Sequence, residues 1–233
     1  MRPALKTVPL LLAAVVLLLA QDPLWKTKPM SRWNQNDANA VLTFSPWSER
    51  VTPQWVRDLS PDERRMGGDL QADQGKGVGL DGLIGIFDPD REAAAVARAH
   101  AKPDPGTFLV RWESARPVRV AELQSPDPEV PAVDSDAYYA IVVYDIPIPK
   151  AWVEHVLRGV AFLKRYQKKD LKPARVMIQR KDDGTATLTY LFPRSVEISK
   201  RDGDVVFQAQ IGRLVITRIF DTHEMQLAGQ LEL

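Results

Sequence analysis

One stretch of the chain, residues 138–167, constrains the fold more than any other. It opens with the run Tyr-Tyr-Ala-Ile-Val-Val-Tyr, seven residues without a charged or amide side chain. A strand built from such a run needs cover on both of its faces, as the central strand of a packed sheet has. We therefore predict a central, fully buried strand at residues 138–144.

A proline-marked turn and a long amphipathic pattern follow this run. Pro147 and Pro149 interrupt strand pairing because proline has no N–H to donate, and a proline also suits the first turn of a helix. Apolar residues then recur at steps of three and four, at Trp152, Val153, Val156, Leu157, Val160 and Leu163. This spacing predicts one long amphipathic helix over residues 150–167, with one face against the sheet.

After residue 173 the apolar pattern changes to the two-residue alternation of strands. Two Asp-Gly turns and a Gly-Arg turn separate the alternating segments, which are residues 175–180, 185–191, 196–200 and 205–211, with a last strand near the carboxyl end. We predict an α+β fold in which an antiparallel β-meander of five or six strands packs against the long helix. A helical, Trp-rich N-terminal segment completes this prediction.

Residues 1–20 have the pattern of an export signal. Arg2 and Lys6 precede an apolar core at residues 8–20 that ends in a small residue. Because a membrane-spanning helix needs about 20 apolar residues, export is favoured over a retained anchor. We expect a periplasmic or extracellular protein without a transmembrane span in the mature chain, and the sequence leaves open whether the signal is cleaved.

The remaining chain divides into three parts by composition. Residues 21–65 hold four of the six tryptophans and patterns for short helices. Residues 66–105 combine a glycine-rich linker with a short alanine-rich helix. Residues 106–233 form the predicted α+β domain, which includes a strand at residues 108–112.

Composition excludes several classes of protein. The chain has no cysteine, so neither a disulfide nor a thiol nucleophile is available. Without residues 1–20 it carries 29 basic against 30 acidic residues, which argues against nucleic acid as a partner. The expected partner is a protein or another component of the cell envelope.

No motif in the sequence predicts a catalytic residue, a metal ligand or a cofactor. Gly77, Gly79 and Gly82 have the spacing of a dinucleotide loop, but the preceding residues are too polar for the buried strand that such a loop follows. The three histidines are far apart in the chain, and neither G-x-S-x-G nor S-x-x-K occurs. A catalytic site assembled in space from dispersed residues stays open.

Five residues are candidates for binding: Trp33, Asp37, Trp47, Trp55 and Asp145. The tryptophans have two interpretations, since indoles bury large apolar areas but also form exposed aromatic platforms. Docking of the N-terminal segment on the main domain is favoured over the platform. Asp145 is included because it ends the predicted central strand, and strand ends beside loops commonly carry sites.

Three stretches carry a resemblance to known proteins: Trp33-x-x-x-Asp37-Ala38-x-x-Val41-Leu42-x-x-Ser45-Pro46-Trp47, residues 111–118 and the closing Gly229-x-Leu231-Glu232-Leu233. In them the chain resembles uncharacterised exported bacterial proteins, some labelled GWxTD-domain proteins, although that pentapeptide is absent here. The resemblance implies secretion across the inner membrane and brings no activity or catalytic residue.

Two functions from different classes follow from these features. The first is a non-catalytic exported protein that binds another envelope component through its Trp-rich segment or an exposed sheet edge. The second is a periplasmic hydrolase whose site combines dispersed Asp, Glu, Ser and His residues. Exposed indoles on a flat surface would favour the first, and convergent polar groups in a deep pocket the second.

Overall fold

The computed structural model describes residues 23–56, 104–124, 132–148 and 150–233. Its helices are α1 (Leu24–Thr27), α2 (Gln35–Thr43), α3 (Arg116–Gln124) and α4 (Glu154–Gly159), with 3-10 turns at Met30–Arg32 and Lys200–Asp202. Its strands are β1 (Ser48–Val51), β2 (Gln54–Trp55), β3 (Phe108–Trp112), β4 (Tyr138–Pro147), β5 (Ala161–Arg165), β6 (Arg175–Arg180), β7 (Thr185–Pro193), β8 (Asp204–Ile211), β9 (Leu214–Asp221), β10 (Gln226–Leu227) and β11 (Gln230–Leu231).

The strands form two main sheets. Sheet A has the order β1-β3-β4-β7-β6, and sheet B has the order β2-β9-β8-β5. Strands β10 and β11 form a separate short hairpin. Every strand pairing in the described residues is antiparallel. The chain is therefore a mixed α and β protein with antiparallel sheets, as the sequence predicts.

Aromatic side chains join the two sheets face to face. The Trp112 ring of sheet A lies 4.9 Å from the Phe220 ring of sheet B, edge to face, and Tyr190 lies 5.2 Å from Phe207 in the same way. All four side chains are fully buried. Edge-to-face pairs of this kind add about 0.5–1.5 kcal/mol each to the burial of the rings.

Strand β4 occupies the centre of sheet A, as its sequence predicts. Residues 139–144 are all buried. Ile141 and Val143 belong to the core between the sheets, and the next residue, Tyr144, points to the opposite side, where its hydroxyl meets Arg111 and Glu113. Helices α2 and α3 pack against each other on this second side, so both faces of β4 are covered.

The predicted helix over residues 150–167 is wrong in its second half. Helix α4 ends at Gly159, and β5 begins at Ala161 and pairs along its whole length with β8. The residues of β5 also alternate, with Ala161, Leu163 and Arg165 buried and their neighbours half-buried. A short apolar segment fits both periods, and pairing with β8 decides between them.

The single meander is corrected to two sheets. The hairpins β6-β7 and β8-β9 form at the predicted turns, but they belong to different sheets. Residues 196–200 form no strand, because the chain crosses there from sheet A to sheet B and closes the crossing with the turn at Lys200–Asp202. Strand β8 therefore pairs with β9 and β5, and not with a strand at residues 196–200 as predicted.

The N-terminal segment is part of both sheets. It contributes the predicted helix as α2, and its strands β1 and β2 pair with β3 and β9. The sequence pattern of residues 21–65 predicts neither of these two strands. The predicted export signal, the glycine-rich linker and the alanine-rich helix lie outside the described residues. Within the four described ranges, no helix is both long and apolar enough for a membrane crossing.

Deleting residues 230–233 tests how the carboxyl end contributes to the core. The deletion removes β11, the buried Leu233 and the Glu232 carbonyl that accepts the Trp47 indole N–H at 2.8 Å. We expect the free energy of unfolding to fall by about 2–4 kcal/mol. Urea denaturation measures it, with Gln230→Ala as a control at an exposed position. A deletion variant as stable as the full chain would contradict this role.

Candidate functional site

Trp33 and Trp47 do not form an exposed aromatic platform. Both indoles are buried, and their N–H groups donate to the carbonyls of Lys28 at 3.1 Å and Glu232 at 2.8 Å. Trp55 is half-buried in β2 and packs against the core. These contacts agree with the docking interpretation, because the indoles fasten the N-terminal segment to the main body.

Asp37 has a structural partner at the start of α2. It forms a capping box with Asn34, in which each side chain accepts the other residue's backbone N–H. It also forms an ion pair with Lys28. The Asn34 hydrogen bond and the Lys28 ammonium together hold the pKa of Asp37 below its usual value. Its carboxylate therefore stabilises the helix N-terminus.

Asp145 lies at the irregularity of β4, where the register with β7 shifts between Val143 and Ile146. Its φ of +55° falls in the left-handed region, which aspartate tolerates better than most residues. Its exposed carboxylate pairs with the Lys181 ammonium at 2.6 Å. Of the five predicted residues, Trp33 and Asp37 share Lys28 as a partner, whereas Asp145 makes its ion pair with Lys181.

A different set of residues forms a groove of about 420 Å³ beside β9. Its apolar lining consists of Trp25, Phe44, Pro46 and Ile219. Phe44 is 74% exposed and Ile219 is 50% exposed, which is unusual for such large apolar side chains. We call this concavity the β9 groove.

The apolar side of the β9 groove is anchored from below. Trp25 meets the buried Trp47 edge to face, with ring centroids 6.1 Å apart. Phe44 directly follows the last residue of α2, and Ser45 holds the end of that helix because its hydroxyl donates to the Val41 carbonyl at 2.7 Å. The exposed Phe44 therefore stands on a fixed helix end.

The charged side of the β9 groove presents carboxylates to solvent. Arg218 is 15% exposed and pairs with Glu49 at 2.6 Å, while Glu224 pairs with Lys26 at 2.7 Å. Burial lowers the pKa of Arg218, and the Glu49 carboxylate opposes that shift. Asp221 ends β9 and accepts the His223 N–H at 2.7 Å. With three carboxylates and one largely buried guanidinium, the lining is acidic.

A second depression, of about 280 Å³, lies over α4. It is lined by Val153, Glu154, His155 and Arg158. Glu154 accepts the backbone N–H of Val176 at 3.4 Å. The depression has only one exposed large apolar side chain, Val153, and is therefore a weaker candidate for binding.

Polar side chains converge at another place, between sheet A and the helices that cover it. We call this cluster the Glu113 network; it consists of Arg111, Glu113, Arg119, Glu122 and Tyr144. The Tyr144 hydroxyl donates to Glu113 at 2.9 Å and accepts from Arg111 at 3.0 Å, and Arg111 lies 3.7 Å from each of the two carboxylates. Arg119 lies 3.5 Å from Glu122.

Glu122 keeps its proton at neutral pH in the Glu113 network. Burial and the neighbouring Glu113 carboxyl raise the pKa of Glu122 to about 9. The protonated carboxyl has one O–H group that it can donate. Burial raises the pKa of Tyr144 as well. Neither concavity described above is lined by these residues.

Phe44, Ile219 and the Glu113 network are not among the residues that the sequence predicts for a site. A signal for Ile219 exists, because Ile219 and Phe220 are consecutive apolar residues in a strand, so one of them must leave the buried face. No local signal marks Phe44, since its exposure depends on how α2 packs. Glu113 and Glu122 lie nine positions apart on different elements, and only the fold brings them together.

Comparisons of the chain with protein-family models, with curated proteins and with solved structures find no match. The β9 groove and the Glu113 network are therefore known from this chain's own residues and geometry.

Glu122→Gln tests the raised pKa of Glu122 through the pH dependence of stability. Because the pKa of Glu122 rises from 4.5 to about 9 on folding, its contribution is complete below pH 4.5 and is lost as the pH rises towards 9. The slope is at most about 1.4 kcal/mol per pH unit. Glutamine imitates the protonated acid, so we expect the variant to lose less stability between pH 5 and 8.

Denaturant midpoints across this pH range provide the measurement. Glu197→Gln, which removes an exposed carboxylate, controls for the loss of one negative charge. Parallel pH profiles for Glu122→Gln and the unsubstituted protein would show that Glu122 does not retain its proton on folding.

Proposed function

We propose that this protein is an exported, non-catalytic binding protein of the bacterial cell envelope, and that it holds a partner protein in the β9 groove. One observation carries the proposal: two large, exposed apolar side chains, Phe44 and Ile219, line the same concavity. Exposed apolar clusters rimmed by charged groups are typical of protein interaction sites.

The distribution of exposed apolar residues supports this choice of surface. Six large hydrophobic side chains are exposed in the described residues: Phe44, Leu123, Val153, Tyr166, Val196 and Ile219. Two of them line the β9 groove, whereas one lines the depression over α4. Burial of an exposed phenylalanine and isoleucine by a partner would contribute about 1.5–3 kcal/mol each, before the cost of association.

The polar groups favour binding over hydrolysis. Ser45 is the residue of the groove lining that carries a hydroxyl. This hydroxyl donates to the Val41 carbonyl and accepts the backbone N–H of Trp47. Glu49 and Glu224 are held by cations. Polar groups do converge in the Glu113 network, but its Arg111, Glu113 and Tyr144 are buried beneath α2 and α3, where substrate would not reach them.

Export is the second part of the proposal and is supported by the sequence. Arg2 and Lys6 precede the apolar core at residues 8–20, and the resemblance to exported bacterial proteins points the same way. The absence of cysteine leaves no residue for a lipid-modified anchor after cleavage. We infer a protein that is periplasmic or extracellular.

Placing a photocrosslinking phenylalanine analogue at Phe44 in the producing bacterium tests the groove. We expect one discrete light-dependent adduct with a partner protein. Ile219→Asp should reduce it about tenfold, because a charge would then be buried where the partner packs. The same analogue at the exposed Leu123 is the control and should not give this adduct. An identical adduct from Leu123, or no adduct from Phe44, would contradict the proposal that the partner binds in the β9 groove.

Export is tested by the intact mass of the protein recovered from the periplasm of a bacterial host. We expect a chain shortened by about 20 residues, because signal peptidase cleaves after the small residues that follow the apolar core. Leu12→Arg breaks that core and should leave the full-length chain in the cytoplasm. Recovery of unprocessed protein in the cytoplasm for both chains would show that residues 1–20 are not an export signal.

A further inference from the structure

We infer that the outer edge of β9 is a strand-addition site, which takes an extended polypeptide segment carrying lysine or arginine beside apolar side chains. The inference rests on the proposed function and specifies how the β9 groove holds its partner. It depends on the direction of backbone groups in β9, on the short length of β2 and on the charge of the groove.

The hydrogen-bonding side of each β9 residue follows from the β8-β9 register. Ile211 pairs with Leu214 across the two-residue turn, and Gln210 donates its N–H away from β9, to the Val160 carbonyl at 3.0 Å. Because antiparallel pairs alternate in bonding, Ile216, Arg218 and Phe220 bond β8. The N–H and C=O groups of Val215, Thr217 and Ile219 therefore point to the outer edge.

Strand β2 covers only the first part of that edge. Gln54 and Trp55 pair with Val215 and Leu214, and the Val56 N–H donates to the Arg213 carbonyl at 2.8 Å. The chain before β2 leaves for sheet A, where β1 pairs with β3. In the part of the chain that the structure describes, no backbone hydrogen bond reaches the outward groups of Thr217 and Ile219.

An edge of this kind selects its ligand by geometry. Thr217 and Ile219 each present an outward N–H and an outward C=O group. An extended polypeptide has acceptors and donors at the same spacing and can therefore pair with both residues. Natural edges are commonly protected by a proline, a bulge or a charge. Thr217 and Ile219 themselves offer none of these protections, and both side chains are exposed on the outer face. The charge between them, Arg218, lies on the opposite face of β9 and is paired with Glu49.

The open edge and the β9 groove are continuous. Arg218, Ile219 and Asp221 belong to β9 and also line the groove, whose other lining includes Phe44 and Trp25. A strand added along Thr217 and Ile219 would thus lie in the groove, with alternate side chains near its apolar residues. Backbone pairing would supply affinity, and the groove would supply specificity.

Charge identifies the partner segment more closely. The side chains of Glu49 and Glu224 are 40% and 51% exposed, and they pair with Arg218 and Lys26, which are 15% and 39% exposed. With Asp221 there are three carboxylates against these two cations, so a ligand meets a net negative charge. Lysine or arginine in the ligand would complement them. A second copy of this chain is disfavoured, because symmetric pairing of two β9 edges would bring two acidic grooves together.

The test uses a defined probe, an acetylated and amidated peptide of alternating valine and threonine flanked by lysines. Amide hydrogen exchange, followed by NMR on the mature protein, reports the pairing residue by residue. We expect the Thr217 and Ile219 amides to exchange at least about tenfold more slowly with the peptide. The Arg218 and Phe220 amides, which bond β8, should be protected with and without it.

Thr217→Pro removes one outward N–H while the bonds to β8 stay intact, as proline is tolerated at strand edges. We expect this variant not to bind the peptide. Thr217→Ala, which keeps the N–H, should still bind it. If Thr217→Pro does not fold, a peptide N-methylated at alternate residues provides the same test from the ligand side. Glutamate in place of the flanking lysines should weaken binding about tenfold.

Three results would overturn strand addition: equal binding of the N-methylated peptide, no protection of Thr217 and Ile219, or protection that rises with protein concentration alone. The last would assign the edge to a second copy. If the Phe44 adduct persists in Thr217→Pro while the peptide gives no protection, the groove still binds its partner and only strand addition fails. Peptide protection without any Phe44 adduct would instead contradict the proposed function.

Discussion

The contact of Trp112 with Phe220 is the interaction on which the rest of the structure depends. It lies fully buried between the sheets, and Trp112 also meets Tyr139 of the central strand. Without disulfide bonds, the chain relies on such packing to hold sheet A on sheet B. The same contact turns Phe220 inward, and the alternation of β9 then leaves Ile219 on the outer face, in the groove.

The groove is a consequence of how the N-terminal segment joins the two sheets. Strand β1 belongs to sheet A and β2 to sheet B, so the chain changes sheets within a few residues. Pro53, which cannot donate to a ladder, lies at this change. Among the described residues, no strand pairs with the outer edge of β9 beyond Val215. The indole of Trp47 holds this arrangement in place from the core.

The Glu113 network joins α2 and α3 to sheet A by specific geometry. Arg111 contacts the Leu42 carbonyl of α2, the Tyr144 hydroxyl of β4 and the Glu122 carboxyl of α3. Placing two carboxyls and a guanidinium out of water is costly, and the raised pKa of Glu122 reduces that cost because the protonated carboxyl carries no charge. The helix that ends at Phe44 is therefore positioned by polar contacts as well as by apolar packing.

The sequence by itself determined the elements whose signals are local. The central strand, β3 and the β6-β7 and β8-β9 hairpins follow from apolar runs and from Asp-Gly or Gly-Arg turns. Only the tertiary structure decided that residues 161–165 form a strand, that the strands divide into two sheets, and that Phe44 and Ile219 share a concavity. These outcomes depend on pairing and packing between distant segments, for which a short stretch of residues carries no signal.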